Sequence, residues 1–210
     1  MASPKLASLV YAEDFITPHP VLESAQRRGE ELGTDPISPA AGATLRLLAS
    51  TVAARHVVEI GTGSGTSGLW LLQGMPHDGI LTSIDNEPEH QQAAKEAYAE
   101  AGIPPQRTRV ISGDAGQVLR RLTDSAYDLV LVDADRDSYP AYVEEALRLL
   151  RQGGVLVVNN MLGGDLVADP AARDDVTTLL RDLGKKLRQD DRLLSALLPV
   201  GDGLLVAVRR

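Results

Sequence analysis

The sequence predicts an α/β protein built on a doubly wound, mostly parallel sheet of seven strands, with helices on both faces and the last strand reversed. Three observations carry this. Short apolar, β-branched runs alternate with longer amphipathic stretches, the pattern of a parallel sheet buried on both sides. There are seven such runs: HVVEI (56–60), GILTSI (79–84), TRVIS (108–112), YDLVLVD (127–133), GGVLVVNN (153–160), LLSALLPV (193–200) and GLLVAV (203–208). Only Gly201-Asp202-Gly203 joins the last two, too short for a crossover but right for a hairpin, so the final strand runs antiparallel to its neighbour.

Helices are expected between the first six runs. In NEPEHQQAAKEAYAEAG (86–102), Asn86 can cap, Pro88 suits the first turn, acids cluster early and Gly102 ends the helix. DSYPAYVEEALRLLRQGG (137–154) follows similar logic, and ARDDVTTLLRDLGKKLRQDD (172–191) leads into the terminal hairpin. Two stretches of helical period, 19–33 and 39–56, precede the first strand and are expected to cover an edge of the sheet or meet a second subunit. Pro104-Pro105 and Gly153-Gly154 mark loops rather than linkers. The chain therefore divides as one domain over 1–210, with N-terminal helices (1–54) for substrate or dimer contacts and a core at 55–210.

Composition narrows the function. A 210-residue chain that is 43% hydrophobic can bury one full core. A formal charge of -8 leaves no basic face for nucleic acid. No apolar run approaches a membrane span, and acids stand where a signal peptide would have its apolar centre, so neither membrane nor export is expected and the location is cytoplasmic. The absence of cysteine excludes disulfides, zinc-thiolate sites and thiol nucleophiles. His19, His56, His77 and His90 show no helical pairing that would suggest a zinc site or catalytic dyad.

Chemistry concentrates after the first strand. Gly63 to Gly68 match G-x-G-x-x-G, and Asp85 follows about 20 residues on, as a dinucleotide-binding fingerprint requires. The alternative is a tight strand-to-helix turn that binds nothing. Glycine lets a ligand approach backbone N–H groups closely, and here the series begins earlier, at Gly61. Glu59, two residues before it, would repel a pyrophosphate but suits a ligand bearing an ammonium group or hydroxyls.

VVEIGTGSG (57–65), LTSIDNEP (81–88), SGDAGQVL (112–119), YDLVLVDADRDSY (127–139) and GGVLVVNN (153–160) occur in the order and spacing of class I S-adenosylmethionine-dependent methyltransferases. From about Ile37 to the C-terminus the chain resembles, more closely, the small O-methyltransferases of the catechol and caffeoyl-CoA type. The resemblance implies a Rossmann-like seven-stranded sheet with a reversed last strand. It implies that Gly61, Thr62 and Gly63 border the methionine part of S-adenosylmethionine, that Glu59 and Ser67 fix its polar groups, and that Ile37 contributes backbone at the amino-acid end. Asp85 would accept from the ribose hydroxyls, or serve as a helix cap; Asp114 and Ala115 would contact adenine, or Asp114 would cap the next helix; Asp135 would lie near the cofactor.

In the family a divalent metal, usually Mg2+, clamps two substrate hydroxyls and a lysine helps deprotonate one. The corresponding metal positions are Asp133, Asn159 and Asn160, and the catalytic positions are Asp133 and Arg136. Asn159 stands where the family usually has aspartate, which weakens a site for a hard cation. Alternatively, Asn159 and Asn160 are a polar strand end. Arg136 replaces the lysine, and a guanidinium does not serve as general base, although it can orient or stabilise a phenolate or an acidic substrate. The expected function is methyl transfer from S-adenosylmethionine to a hydroxyl of a small, aromatic acceptor by a homodimer. The alternatives are an NAD-linked oxidoreductase and an S-adenosylmethionine-binding protein that has lost its chemistry.

Overall fold

A computed structural model describes residues 4–210. Its strands are β1 (His56–Ile60), β2 (Ile80–Asp85), β3 (Thr108–Ser112), β4 (Tyr127–Val132), β5 (Leu150–Val158), β6 (Leu193–Leu198) and β7 (Leu204–Arg209). They form one sheet in the order β3-β2-β1-β4-β5-β7-β6. Strands β1 to β5 are parallel, and β7 runs antiparallel to both β5 and β6, as the short terminal connection requires.

The period-two alternation of the central strands divides the core in two. Val57, Leu129, Leu131, Val155 and Val157 face one apolar layer; Val58, Val130, Val132, Leu156 and Val158 face the other. The first layer is covered by α2 (Pro20–Glu31), α3 (Pro39–Thr51), α4 (Thr66–Gly74) and α5 (Pro88–Glu100), the second by α6 (Ala115–Leu119), α7 (Tyr139–Leu149) and α8 (Asp175–Gln189).

The N-terminal helices cover a face of the sheet, not its edge: α2 packs on α4 and α5, and α3 on α4. Bare backbone makes this possible, since a Cβ on Gly42 would lie 2.2 Å from the Trp70 indole nitrogen and one on Gly74 would lie 2.1 Å from the Arg46 carbonyl oxygen. A further helix, α1 (Pro4–Glu13), was not expected from the sequence. Glu13 at its end fastens it, accepting from Ser38 Oγ at 3.0 Å and from the Gly201 N–H in the β6–β7 turn at 2.5 Å. Asn86 does not cap α5, which begins after Glu87 with no side-chain cap. The Asp85 carboxylate instead takes the Glu87 N–H at 2.9 Å. Among the described residues no helix is long and apolar enough to cross a membrane.

Candidate active site

The motifs, spread over a hundred residues of sequence, meet because each follows the carboxyl end of one of five adjacent parallel strands. The ladder continues one bond beyond the strands: Gly61 N–H donates to Ile84 O, Asp133 N–H to Ile60 O, Asn159 N–H to Val132 O and Gly113 N–H to Asp85 O, at 2.9–3.0 Å. The strand order reverses between β1 and β4, so the loops part there and open a cleft of about 520 Å³. It is lined by Ile37, Gly61, Thr62, Gly63, Ser67, Asp85, Asp114, Ala115, Asp133, Asp135, Arg136 and Asn160. Glu59 and Asn159 lie behind its surface.

Asp85 organises the floor. Its Oδ2 accepts from the N–H groups of Thr62 and Gly63, both at 3.0 Å, which locks the glycine loop to the end of β2. His90 on α5 places Nδ1 3.4 Å from the other oxygen. Glu59 is wholly buried beneath the loop, where Ser67 Oγ donates to Oε1 at 2.6 Å and Ser83 Oγ to Oε2 at 2.5 Å. Glu59 is linked by hydrogen bonds to two residues that do line the cleft, directly to Ser67 and through Ser83 to Thr62.

Burial pushes the Glu59 carboxyl up to about 7 despite the two hydroxyl bonds, and the Asp133 and Asp85 carboxylates act in the same direction. The folded state therefore holds a proton that the unfolded chain releases near 4.5. The stability linked to it is complete below that pH and is lost as pH rises to about 7, at no more than about 1.4 kcal/mol per pH unit. Glu59→Gln, which carries no such charge, should gain in melting temperature relative to the parent between pH 5 and pH 8. A constant difference across that range would show that Glu59 does not titrate there.

On the β3 side, Asp114 caps α6 by accepting from the Gln117 N–H at 2.9 Å, while still lining the cleft beside Ala115. On the β4 side, Asp135 accepts from the Tyr142 hydroxyl at 2.9 Å. Sequence reasoning missed a wall of the cleft formed by Thr34, Asp35 and Pro36 in the α2–α3 connection. The Thr34 hydroxyl is buried there without a hydrogen-bond partner. A usable signal was Gly29, whose absent side chain leaves room for Ser64, Thr34 and Pro36.

Asp133 lies at the deep end. Burial pushes its carboxyl up to about 7, against the pull of an Asn159 hydrogen bond; Asp35 adds to the rise and Arg136 opposes it. Asn159 Nδ2 donates to Asp133 Oδ1 at 3.0 Å, and Asn160 adopts left-handed backbone with φ +56°. Arg136 reaches from the turn after β4 and meets Asp202 of the β6–β7 turn at 3.7 Å. A divalent cation needs several free anionic or carbonyl oxygens. Here the carboxylate is engaged by an amide N–H and a guanidinium stands nearby. Among the described residues no group of three His, Cys, Asp or Glu side chains is placed to hold a metal. With one carboxylate among Asp133, Asn159 and Asn160, and that carboxylate already accepting from an amide, the donor set fits a divalent ion poorly.

A profile of the O-methyltransferase family matches residues 18–210. A protein of Mycobacterium ulcerans whose name places it among the O-methyltransferases is 50% identical over 209 residues, covering 99% of this chain and 93% of its own. Among solved structures, a Corynebacterium glutamicum protein is similar with a TM-score of 0.90 and 30% identity over 99% of this chain and 97% of its own. The O-methyltransferase TomG of Streptomyces achromogenes, involved in tomaymycin synthesis and solved with S-adenosylmethionine, follows with a TM-score of 0.85 and 29% identity over 100% and 99%.

Proposed function

The chain belongs to the O-methyltransferase family, and from that premise we propose that its cleft binds S-adenosylmethionine and presents the methyl group to a hydroxyl of a small aromatic acceptor. The observation that carries this reading is the convergence of Asp85, Asp114 and the Gly61–Gly63 loop on one cleft. Its volume of about 520 Å³ lies in the usual range for cofactor sites. The unpartnered Thr34 hydroxyl also fits a ligand-lined wall.

Asp85 takes the ribose hydroxyls, an ionised acceptor making such bonds strong. Asp114 and the Ala115 N–H address adenine, while Gly61, Thr62, Gly63, Ser67 and Ile37 enclose the methionine end and Asp135 flanks it. When bound, the cofactor supplies an electrophilic methyl group on a positively charged sulfur. The chain's part is alignment: it holds the acceptor oxygen in line with that methyl and keeps water from the space between. Acceptor choice resides in the N-terminal helices and in residues 161–175, of which Gly163, Gly164 and Asp165 line the cavity beside Arg136. Leu9, Val10, Tyr11 and Phe15 in and just after α1 and Leu47 on α3 are exposed, and Phe15 and Leu47 line one groove, which supports a homodimer.

S-adenosylhomocysteine at about a hundredfold excess over its Kd should raise the melting temperature by roughly 5–10 °C, and NADH should leave it unchanged. The reverse pattern would return the glycine loop to an oxidoreductase reading. Sedimentation of the same samples should give the mass of two chains, and a single-chain mass would remove the dimer.

A further inference from the structure

The misfit between the donor set and a divalent ion is informative when Arg136 is considered in place. Its side chain, one-third exposed, lines both the main cleft and an adjoining cavity formed by Asp35, Gly163, Gly164, Asp165, Gly201 and Asp202. It thus stands at the passage between the cofactor end and the outer chamber. Asp202 steadies it from the β6–β7 turn while also accepting from the Gly164 N–H at 2.7 Å, so the turn, the loop after β5 and the guanidinium form one assembly.

Carboxylates share the two cavities with Arg136, among them Asp133 just after β4, Asp35 from the α2–α3 connection, Asp165 from the loop after β5, and Asp202. Among these carboxylates Arg136 is the group that can meet an anionic oxygen, as a planar donor whose charge is permanent. We propose that methyl transfer here proceeds without a divalent cation, with Arg136 holding the acceptor oxygen as a phenolate at the passage between the two cavities. This rests on the O-methyltransferase reading above.

The acceptor class follows. No lysine stands beside Arg136, so the acceptor this guanidinium serves best is a hydroxyl acidic enough to be ionised already at working pH, as a phenol with an electron-withdrawing substituent is. The phenolate lone pair then forms the O–CH3 bond as the C–S bond breaks, its electron pair remaining on sulfur, which becomes a neutral thioether.

The test uses EDTA-dialysed protein saturated with S-adenosylhomocysteine, which cannot turn over, and 4-nitrophenol, whose anion is coloured. Nitrophenolate should bind, its absorbance showing a lowered pKa for the bound probe, and millimolar Mg2+ should neither strengthen binding nor give heat by calorimetry. Arg136→Gln should weaken nitrophenolate roughly 10- to 100-fold, as loss of a charged hydrogen-bond donor predicts. Arg136→Lys should recover most of that loss, each protein being held saturated with S-adenosylhomocysteine. Mg2+-dependent binding, no nitrophenolate binding, or indifference to Arg136→Gln would each overturn the proposal while leaving the cofactor reading intact. Failure of S-adenosylhomocysteine to bind would overturn the function on which it rests.

Discussion

Gly61→Ala should destabilise the protein by about 4 kcal/mol, from left-handed strain together with overpacking, and lower its melting temperature by roughly 10 °C. Two separate costs add at this position. Its φ of +93° lies where a side chain is strained, and an added Cβ would sit 1.9 Å from the carbonyl oxygen of Asp133. That oxygen cannot withdraw cheaply, because it belongs to backbone tied on both sides: the Asp133 N–H donates to Ile60 O and the Asn159 N–H to Val132 O. The extra methyl must drive the ends of β1 and β4 apart, where the cleft opens. Calorimetric scanning and S-adenosylhomocysteine titration should therefore both register the change. A melting temperature within about 2 °C of the parent, less than 1 kcal/mol for a chain of this size, would show that the strand ends give way more easily than their hydrogen bonding indicates.

Asp85→Ala should weaken S-adenosylhomocysteine by roughly 100- to 1,000-fold, since two hydrogen bonds to a charged acceptor together contribute about 3–4 kcal/mol. The carboxylate also serves the chain itself, holding Thr62 and Gly63 through Oδ2 and the Glu87 N–H through Oδ1. A loss of affinity alone would not separate ribose contact from a loosened loop. Comparing S-adenosylhomocysteine with its 2′-deoxy analogue does so: the parent should prefer the hydroxylated ligand, and the preference should vanish in the variant. Unchanged affinity for S-adenosylhomocysteine would end the ribose assignment.

The strands were legible because the alternation of Val57 with Val58 and of Val155 with Leu156 is imposed by a sheet covered on both faces, and the hairpin because three residues permit no other connection. The cleft residues after β1 to β5 were legible for a related reason, since parallel strands deliver their following loops to one end of the sheet. Helix α1 escaped notice because its sequence carries no acids in the first turn and no terminal glycine; the distant contacts of Glu13 help to fasten it. The expected cap at Asn86 was displaced by a stronger acceptor one residue earlier. Glu59 shares the parity of Val57, which assigns it to the face under α4, so its concealment was in principle readable from strand periodicity. The pairing of Arg136 with Asp202 joins residues 66 positions apart and left no local mark.

The bond from Gly201 to Glu13 makes the opening and closing segments of the polypeptide share one fastening, next to the aspartate that steadies Arg136. Changes in α1 can thus be felt beside Arg136 through the Glu13 carboxylate, which also holds Ser38 next to the wall of the main cleft.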